Sequence, residues 1–125
     1  MATLLIVDDE LDVREFAANF FRKRKIDVAT AASGEEALSI IAGQKPRLVL
    51  LDIKMPGIDG LETLRRIKEH DKEIKVVMVT GKDPEEEACG KCRDLGALAY
   101  IHKPLKLDEL QRVVLEIVKE EKVGA

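Results

Sequence analysis

Four short apolar runs in this chain end in residues that can bind a metal ion or a phosphate. Leu4–Val7 runs into Asp8-Asp9, Leu48–Leu51 into Asp52, Val76–Val79 into Thr80-Gly81, and Leu98–Ile101 into His102-Lys103-Pro104. Three crowded carboxylates repel one another unless a divalent cation sits among them. Mg²⁺ suits Asp8, Asp9 and Asp52, because it takes a few carboxylates and fills its other positions with water and phosphate oxygens. The Thr80 hydroxyl and the Lys103 ammonium are donors suited to those phosphate oxygens. The chemistry implied is cation-assisted handling of a phosphoryl group.

Each residue alone is commonplace. An Asp after a strand is usually a turn or cap residue, Thr80-Gly81 reads as a turn, and Lys103-Pro104 reads as a surface loop. Only together do they define a site, and that requires the ends of the runs to meet at one edge.

The periodicity supplies that requirement. Runs of four or five apolar residues bounded by polar or turn residues read as buried strands, and a weaker run, Ile26–Ala29, adds a fifth. Between them lie helical spacings: Val13, Phe16, Ala17, Phe20 and Phe21; Ala37, Leu38 and Ile41; Leu61, Leu64 and Ile67; Leu107, Leu110, Val114, Ile117 and Val118. Asp12 is placed to cap the first helix, and Ser33 with Glu36 forms a capping box for the second. Gly43 and Gly96 stand where helices should stop. Asp83-Pro84 followed by three glutamates reads as the start of a fourth helix, and His70 as a helix-end residue. The order is (βα)₅, which predicts an open, doubly wound α/β fold with a five-stranded parallel sheet. In such sheets ligands bind at the carboxyl ends of the strands, beside the topological switch.

A chain of 125 residues with 46% hydrophobic content makes one domain over 1–125, with a core over about 3–119 and a polar tail, 120–125, expected to fray. A net charge of −3, aromatic content of 3% and the lack of Trp argue against nucleic-acid binding. No run approaches the roughly 18 apolar residues of a membrane span, so no membrane partner is expected. The start, MATLLIVDDE, lacks the basic region and long apolar stretch of a signal peptide. Two cysteines fit a reducing compartment, and the expected location is cytoplasmic. Cys89 and Cys92, at i and i+3 inside the fourth predicted helix, read as core residues: a zinc site needs four ligands, and a thioredoxin-like pair should open a helix directly after a strand.

The segments LLIVDDE at 4–10, LVLLDIKMPGIDG at 48–60, VVMVTG at 76–81 and GALAYIHKPL at 96–105 together resemble the receiver domain of two-component response regulators. The resemblance covers essentially the whole chain. It implies the flavodoxin-like fold with strand order 2-1-3-4-5. It makes Asp52 the phosphoacceptor, taking a phosphoryl group from a partner phosphohistidine. Asp8, Asp9, Asp52 and the backbone carbonyl of Lys54 would hold Mg²⁺. Lys103 and Thr80-Gly81 would bind phosphoryl oxygens, Tyr100 would turn inward as a switch, and Pro104 would follow a cis peptide bond. The switch would change the face around the fourth helix, fifth strand and fifth helix. Lys54 and Lys82 flank the line by which water attacks the phosphoryl group, so two long cations there would slow its hydrolysis. Lys54 and the run DIKMPGIDG also resemble the relay regulators of sporulation.

The partners implied are a sensor histidine kinase or a histidine phosphotransfer protein, and a downstream protein target. The chain would be a monomer or a weak phosphorylation-dependent dimer. It would not be an enzyme beyond catalysing its own phosphorylation and dephosphorylation. A second reading is a receiver cut from a longer regulator with a DNA-binding or enzymatic output domain. A phosphatase of the haloacid dehalogenase type needs a second Asp two residues after its nucleophile, where Lys54 stands. A flavodoxin needs a phosphate-binding loop where Asp8-Asp9-Glu10 would repel one.

Overall fold

The computed structural model describes residues 3–53, 57–80, 95–102 and 106–123, and for residues 80, 102, 107 and 117–123 it describes the backbone only. The strands are β1 (Leu4–Val7), β2 (Val28–Ala31), β3 (Leu48–Asp52), β4 (Lys75–Thr80) and β5 (Ala99–His102). All pairs are parallel, in the order β2-β1-β3-β4-β5. The helices are α1 (Leu11–Arg22), α2 (Gly34–Gly43), α3 (Gly60–His70) and a C-terminal helix (Leu107–Val123). The expected fold class and strand order are those observed.

The sheet is apolar on both faces because helices cover both. Alternate strand residues divide between two cores. Leu4, Ile6, Leu48, Leu50, Val77 and Val79 pack with Ala17, Phe21, Leu110 and Val114 from α1 and the C-terminal helix. Leu5, Val7, Val49, Leu51, Val76 and Met78 pack with Ala37, Ile41, Leu64 and Ile67 from α2 and α3. This period-two split explains why the strand sequences are continuous apolar runs and not alternating ones.

Three local readings change. The helix α1 begins at Leu11 with Glu10 at its N-cap, so Asp12 lies within the first turn and does not cap. An acid there still favours the positive end of the helix dipole. The buried stripe of α1 is Ala17, Ala18 and Phe21, whereas Phe16 is 49% exposed. The helix turns its two small alanines to the sheet, which lets its backbone approach closely. Finally, β2 starts two residues later than the apolar run Ile26–Ala29. A turn at 23–25 with Lys25 at φ 64° consumes the chain there, and the Ile26 N–H donates to the Phe21 carbonyl at 3.2 Å.

Other local readings hold. The Ser33 hydroxyl caps α2 by accepting from the Glu36 N–H at 3.1 Å, while the Glu36 carboxylate reaches past Ser33 to the Ala32 N–H at 3.3 Å, so the return bond of the expected capping box is shifted by one residue. His70 ends α3, and α2 ends at Gly43. The fourth predicted helix, with Asp83-Pro84, Cys89 and Cys92, lies outside the described residues.

The orientation of α1 gives a direct test by urea denaturation. Phe21→Ala should cost about 3–5 kcal/mol, since it empties a filled core site. Phe16→Ala should change stability by no more than about 0.5 kcal/mol. Equal losses would mean that α1 packs through the other face.

Candidate phosphoacceptor site

The parallel register fixes what meets at the carboxyl edge. Val7 is level with Leu51, so Asp8 and Asp52 take the next positions on adjacent strands. Asp52 is level with Val79, and Thr80 with His102. The ends of β1, β3, β4 and β5 therefore bring Asp8, Asp52, Thr80 and the segment before Lys103 to one edge.

Asp8 and Asp52 are only 3% and 4% exposed. Charged side chains are seldom so buried without compensating bonds. The Asp8 carboxylate accepts the Glu10 N–H at 2.9 Å, which folds the β1–α1 turn back on itself. The Asp8 carbonyl accepts from the Arg14 guanidinium at 2.8 Å, and the Asp8 N–H donates to Ala31 at 3.1 Å. Both main-chain groups and the side chain of Asp8 are thus fixed from β2 and α1. No buried side-chain nitrogen or oxygen among the described residues lacks a hydrogen-bond partner.

Asp9 and Glu10 are exposed beside Asp8, and one carboxylate oxygen from each of the three lies within 4.8 Å of the others. This acidic group differs from the expected ligand set in including Glu10, with Asp52 one strand away. The charged turn had carried the signal for Glu10, but a linear reading does not show that the turn brings its side chain back. The donors are all hard oxygens, a set that fits Mg²⁺ and disfavours softer metals.

The end of β3 at Asp52 is held from below by α3. The Ile53 N–H donates to Val79 at 3.0 Å and the Gly60 N–H to Ile53 at 2.8 Å. Asp59 caps α3 through the Glu62 N–H at 2.9 Å, and the buried Thr63 hydroxyl donates to the Asp59 carbonyl at 2.8 Å. A Cβ on Gly60 would lie 2.3 Å from the Asp52 carbonyl oxygen and 2.6 Å from the Ile53 Cα. Only glycine lets the first residue of α3 sit against the backbone of Asp52. The motif showed the glycine but not this contact.

On the outer face of α3, Glu62 is bonded by Arg65 and, at 2.7 Å, by Arg66. These guanidinium hydrogen bonds, Arg65 first, hold its carboxyl down at about 2. A lowered folded value means that any stabilisation from this exposed network is present above the ordinary carboxylate range and is lost as pH falls toward 2.

Tyr100 is half-buried on β5 and packs against the core shared by α2 and α3. Lys54, Gly81, Lys82, Lys103 and Pro104 lie outside the described residues, as do the side chains of Thr80 and His102. Among the described residues no helix is long and apolar enough to cross a membrane.

A doubly wound five-stranded sheet with acids gathered at its carboxyl edge is the architecture of a receiver module. The sequence matches the family model for the response regulator receiver domain over residues 4–115, and the chain belongs to that family. It is 39% identical to sporulation initiation phosphotransferase F of Bacillus subtilis over 111 residues, 89% of each chain. It is 36% identical to the regulatory protein AtoC of Escherichia coli, of which the match covers 24%. A CheY-like receiver domain protein from Methanospirillum hungatei superposes with a TM-score of 0.89 at 30% identity, covering 99% of both chains. The receiver domain of NtrX from Brucella abortus gives 0.85 at 37% identity, covering 93% of this chain and 98% of that one.

Two glycines test the packing beneath Asp52. Gly60→Ala should lower stability by about 1–3 kcal/mol, because backbone must shift to admit the methyl group. Gly43→Ala, where a Cβ meets nothing within 4 Å, should raise it by about 0.4–1 kcal/mol. Thermal melts of both variants would show the opposite signs.

Proposed function

We propose that Asp52 is the phosphoacceptor of this receiver domain and takes its phosphoryl group from a phosphohistidine on a sensor kinase or a histidine phosphotransfer protein. The observation that carries the reading is the side-by-side placement of Asp8 and Asp52 at adjacent strand ends, both almost fully buried. A carboxylate oxygen of Asp52 attacks phosphorus, the phosphorus–nitrogen bond breaks, and the imidazole leaves with the electron pair. The obstacle is repulsion between a carboxylate and an anionic phosphoryl group, so catalysis is positioning and charge neutralisation.

Asp8, Asp9 and Asp52, with the Lys54 carbonyl, are the residues that would hold Mg²⁺. When bound, the ion neutralises charge on the phosphoryl oxygens. Asp8 is already oriented by the Glu10 N–H and its main chain by Arg14. Lys103 and Thr80 would bind the remaining phosphoryl oxygens, and Tyr100 would follow Thr80 inward, shifting the face around β5 and the C-terminal helix.

The output is onward transfer to another histidine, the relay role. Support comes from the 39% identity to a sporulation phosphotransferase over nearly the whole of both chains, and from the lysines at 54 and 82, the two positions that in the family resemblance would flank the attack line of water. The AtoC match, which covers a quarter of that regulator, favours the alternative of a receiver that serves a longer chain.

Three measurements test this function. Asp52→Asn should abolish acyl-phosphate formation from acetyl phosphate or a kinase, and normal labelling of the variant would remove the assignment. Saturating Mg²⁺ should raise the melting temperature, by about 2.7 kcal/mol of stabilisation at a hundredfold excess over Kd. Asp9→Ala should lose most of that rise. Phospho-Asp52 should decay faster in Lys54→Asn than in the wild type; equal rates would sink the relay role while leaving the acceptor assignment intact.

A further inference from the structure

The opposite edge of the sheet has an unassigned feature. Arg22-Lys23-Arg24-Lys25 is a run of four cations, all exposed, at the end of α1. A helix C-terminus favours one or two cations through its dipole, and a short charged run is usually just solvated surface. Here, however, the run is part of a larger arrangement. Backbone bonds tie the entries to the strands laterally: Thr3 N–H to Asp27 at 2.9 Å, Arg47 N–H to Thr3 at 2.9 Å, Lys75 N–H to Arg47 at 3.2 Å, and Leu98 N–H to Val76 at 2.8 Å. The segments 22–27, 44–47 and 71–75 that lead into β2, β3 and β4 therefore share one edge. They hold eight Lys and Arg against three Asp and Glu, in a chain whose net charge is −3.

Two of the three acids there, Asp71 and Glu73, are bridged by Lys45 at 3.2 and 2.6 Å. That leaves Asp27, two residues beyond the run. The arginines are held in place: Arg22 donates to the Val28 carbonyl at 3.1 Å, and Arg24 donates to Phe20 at 3.1 Å while its guanidinium covers the Phe20 ring at 3.6 Å. Lys25 sits in left-handed backbone at φ 64°, a conformation that glycine or asparagine adopts more cheaply. Leu98 completes the edge at the β5 end, 55% exposed.

We propose that this amino edge is a peripheral docking surface for an anionic phospholipid bilayer. Clustered cations with one exposed aliphatic side chain match a surface that offers phosphate charge above an apolar layer. A nucleic acid fits less well. The aromatic ring at this edge, Phe20, is covered by Arg24 and offers no stacking platform. Docking there turns the edge bearing Asp52 away from the bilayer, toward a protein partner. A linear reading finds only spanning segments, so it expects no membrane contact; this edge exists only once three separated segments are brought together.

The test is co-sedimentation with vesicles, using the full chain. Binding is expected to vesicles of equal parts phosphatidylcholine and phosphatidylglycerol, to weaken as salt rises, and to be lacking with phosphatidylcholine alone. Lys23→Gln/Lys25→Gln should bind about 30-fold more weakly, at roughly 1 kcal/mol per cation. Lys25→Gly separates binding from folding: it should bind about fivefold more weakly at that same value per cation, yet melt at a higher temperature. Labelling of Asp52 by acetyl phosphate should be unchanged in both variants, so failure here is distinct from failure of the phosphoacceptor assignment. Lack of binding to the anionic vesicles at low salt, equal binding to neutral vesicles, or unaltered binding by the double variant would overturn the proposal. So would retention of duplex DNA or RNA homopolymer without vesicle binding.

Discussion

The register between β1 and β3 is the constraint on which the rest of this molecule depends. It sets Asp8 beside Asp52, and both carboxylates are nearly sealed from water. Two acids so placed oppose folding unless the surrounding structure is rigid enough to hold them. That rigidity comes from two apolar cores, one on each face, locked by alternate residues of the same strands. A slip of one residue would exchange the faces and dissolve both cores, so the acidic pair cannot relax by sliding apart.

The supports around that pair are local and unequal. Asp8 is fixed through its own turn, by the Glu10 N–H and by Arg14 from the second turn of α1. Asp52 is fixed through its backbone, by the seating of Gly60 against its carbonyl and by the Asp59 cap that starts α3. The two acids are thus anchored to different helices on different faces of the sheet. The end of β3 is also tied to β4, whose Val79 carbonyl receives the Ile53 N–H. That bond joins β3 to the strand that carries Thr80.

The same architecture separates charge along the strand direction. Among the described residues, acids collect where strands end, and cations where β2, β3 and β4 begin. The carboxyl edge carries Asp8, Asp9, Glu10, Asp52 and Asp59, whereas the entries to β2, β3 and β4 are rich in Lys and Arg. Such polarity orients the domain in any external field, whether of a partner or of a charged surface.

Much of this was legible in the linear chain. Apolar runs with period two in burial, helical spacings between them and the turn residues at their ends are local facts, and they determine the five-stranded parallel sheet and the carboxyl-edge location of Asp8, Asp52 and Thr80. Ser33, Gly43 and His70 could be placed for the same reason, since caps and helix ends depend on near neighbours. What the sequence could not decide depended on distances between segments. The face of α1 that packs is chosen by how closely Ala17 and Ala18 approach the sheet, which puts Phe16 outside. The start of β2 is set by a left-handed Lys25 that no propensity would predict. Glu10 joins the acidic group because a turn closes on Asp8, and Gly60 matters because Asp52 lies against it. Periodicity fixes which residues share a face; only packing fixes how near two faces come, and hydrogen bonds and close contacts are decided at that scale.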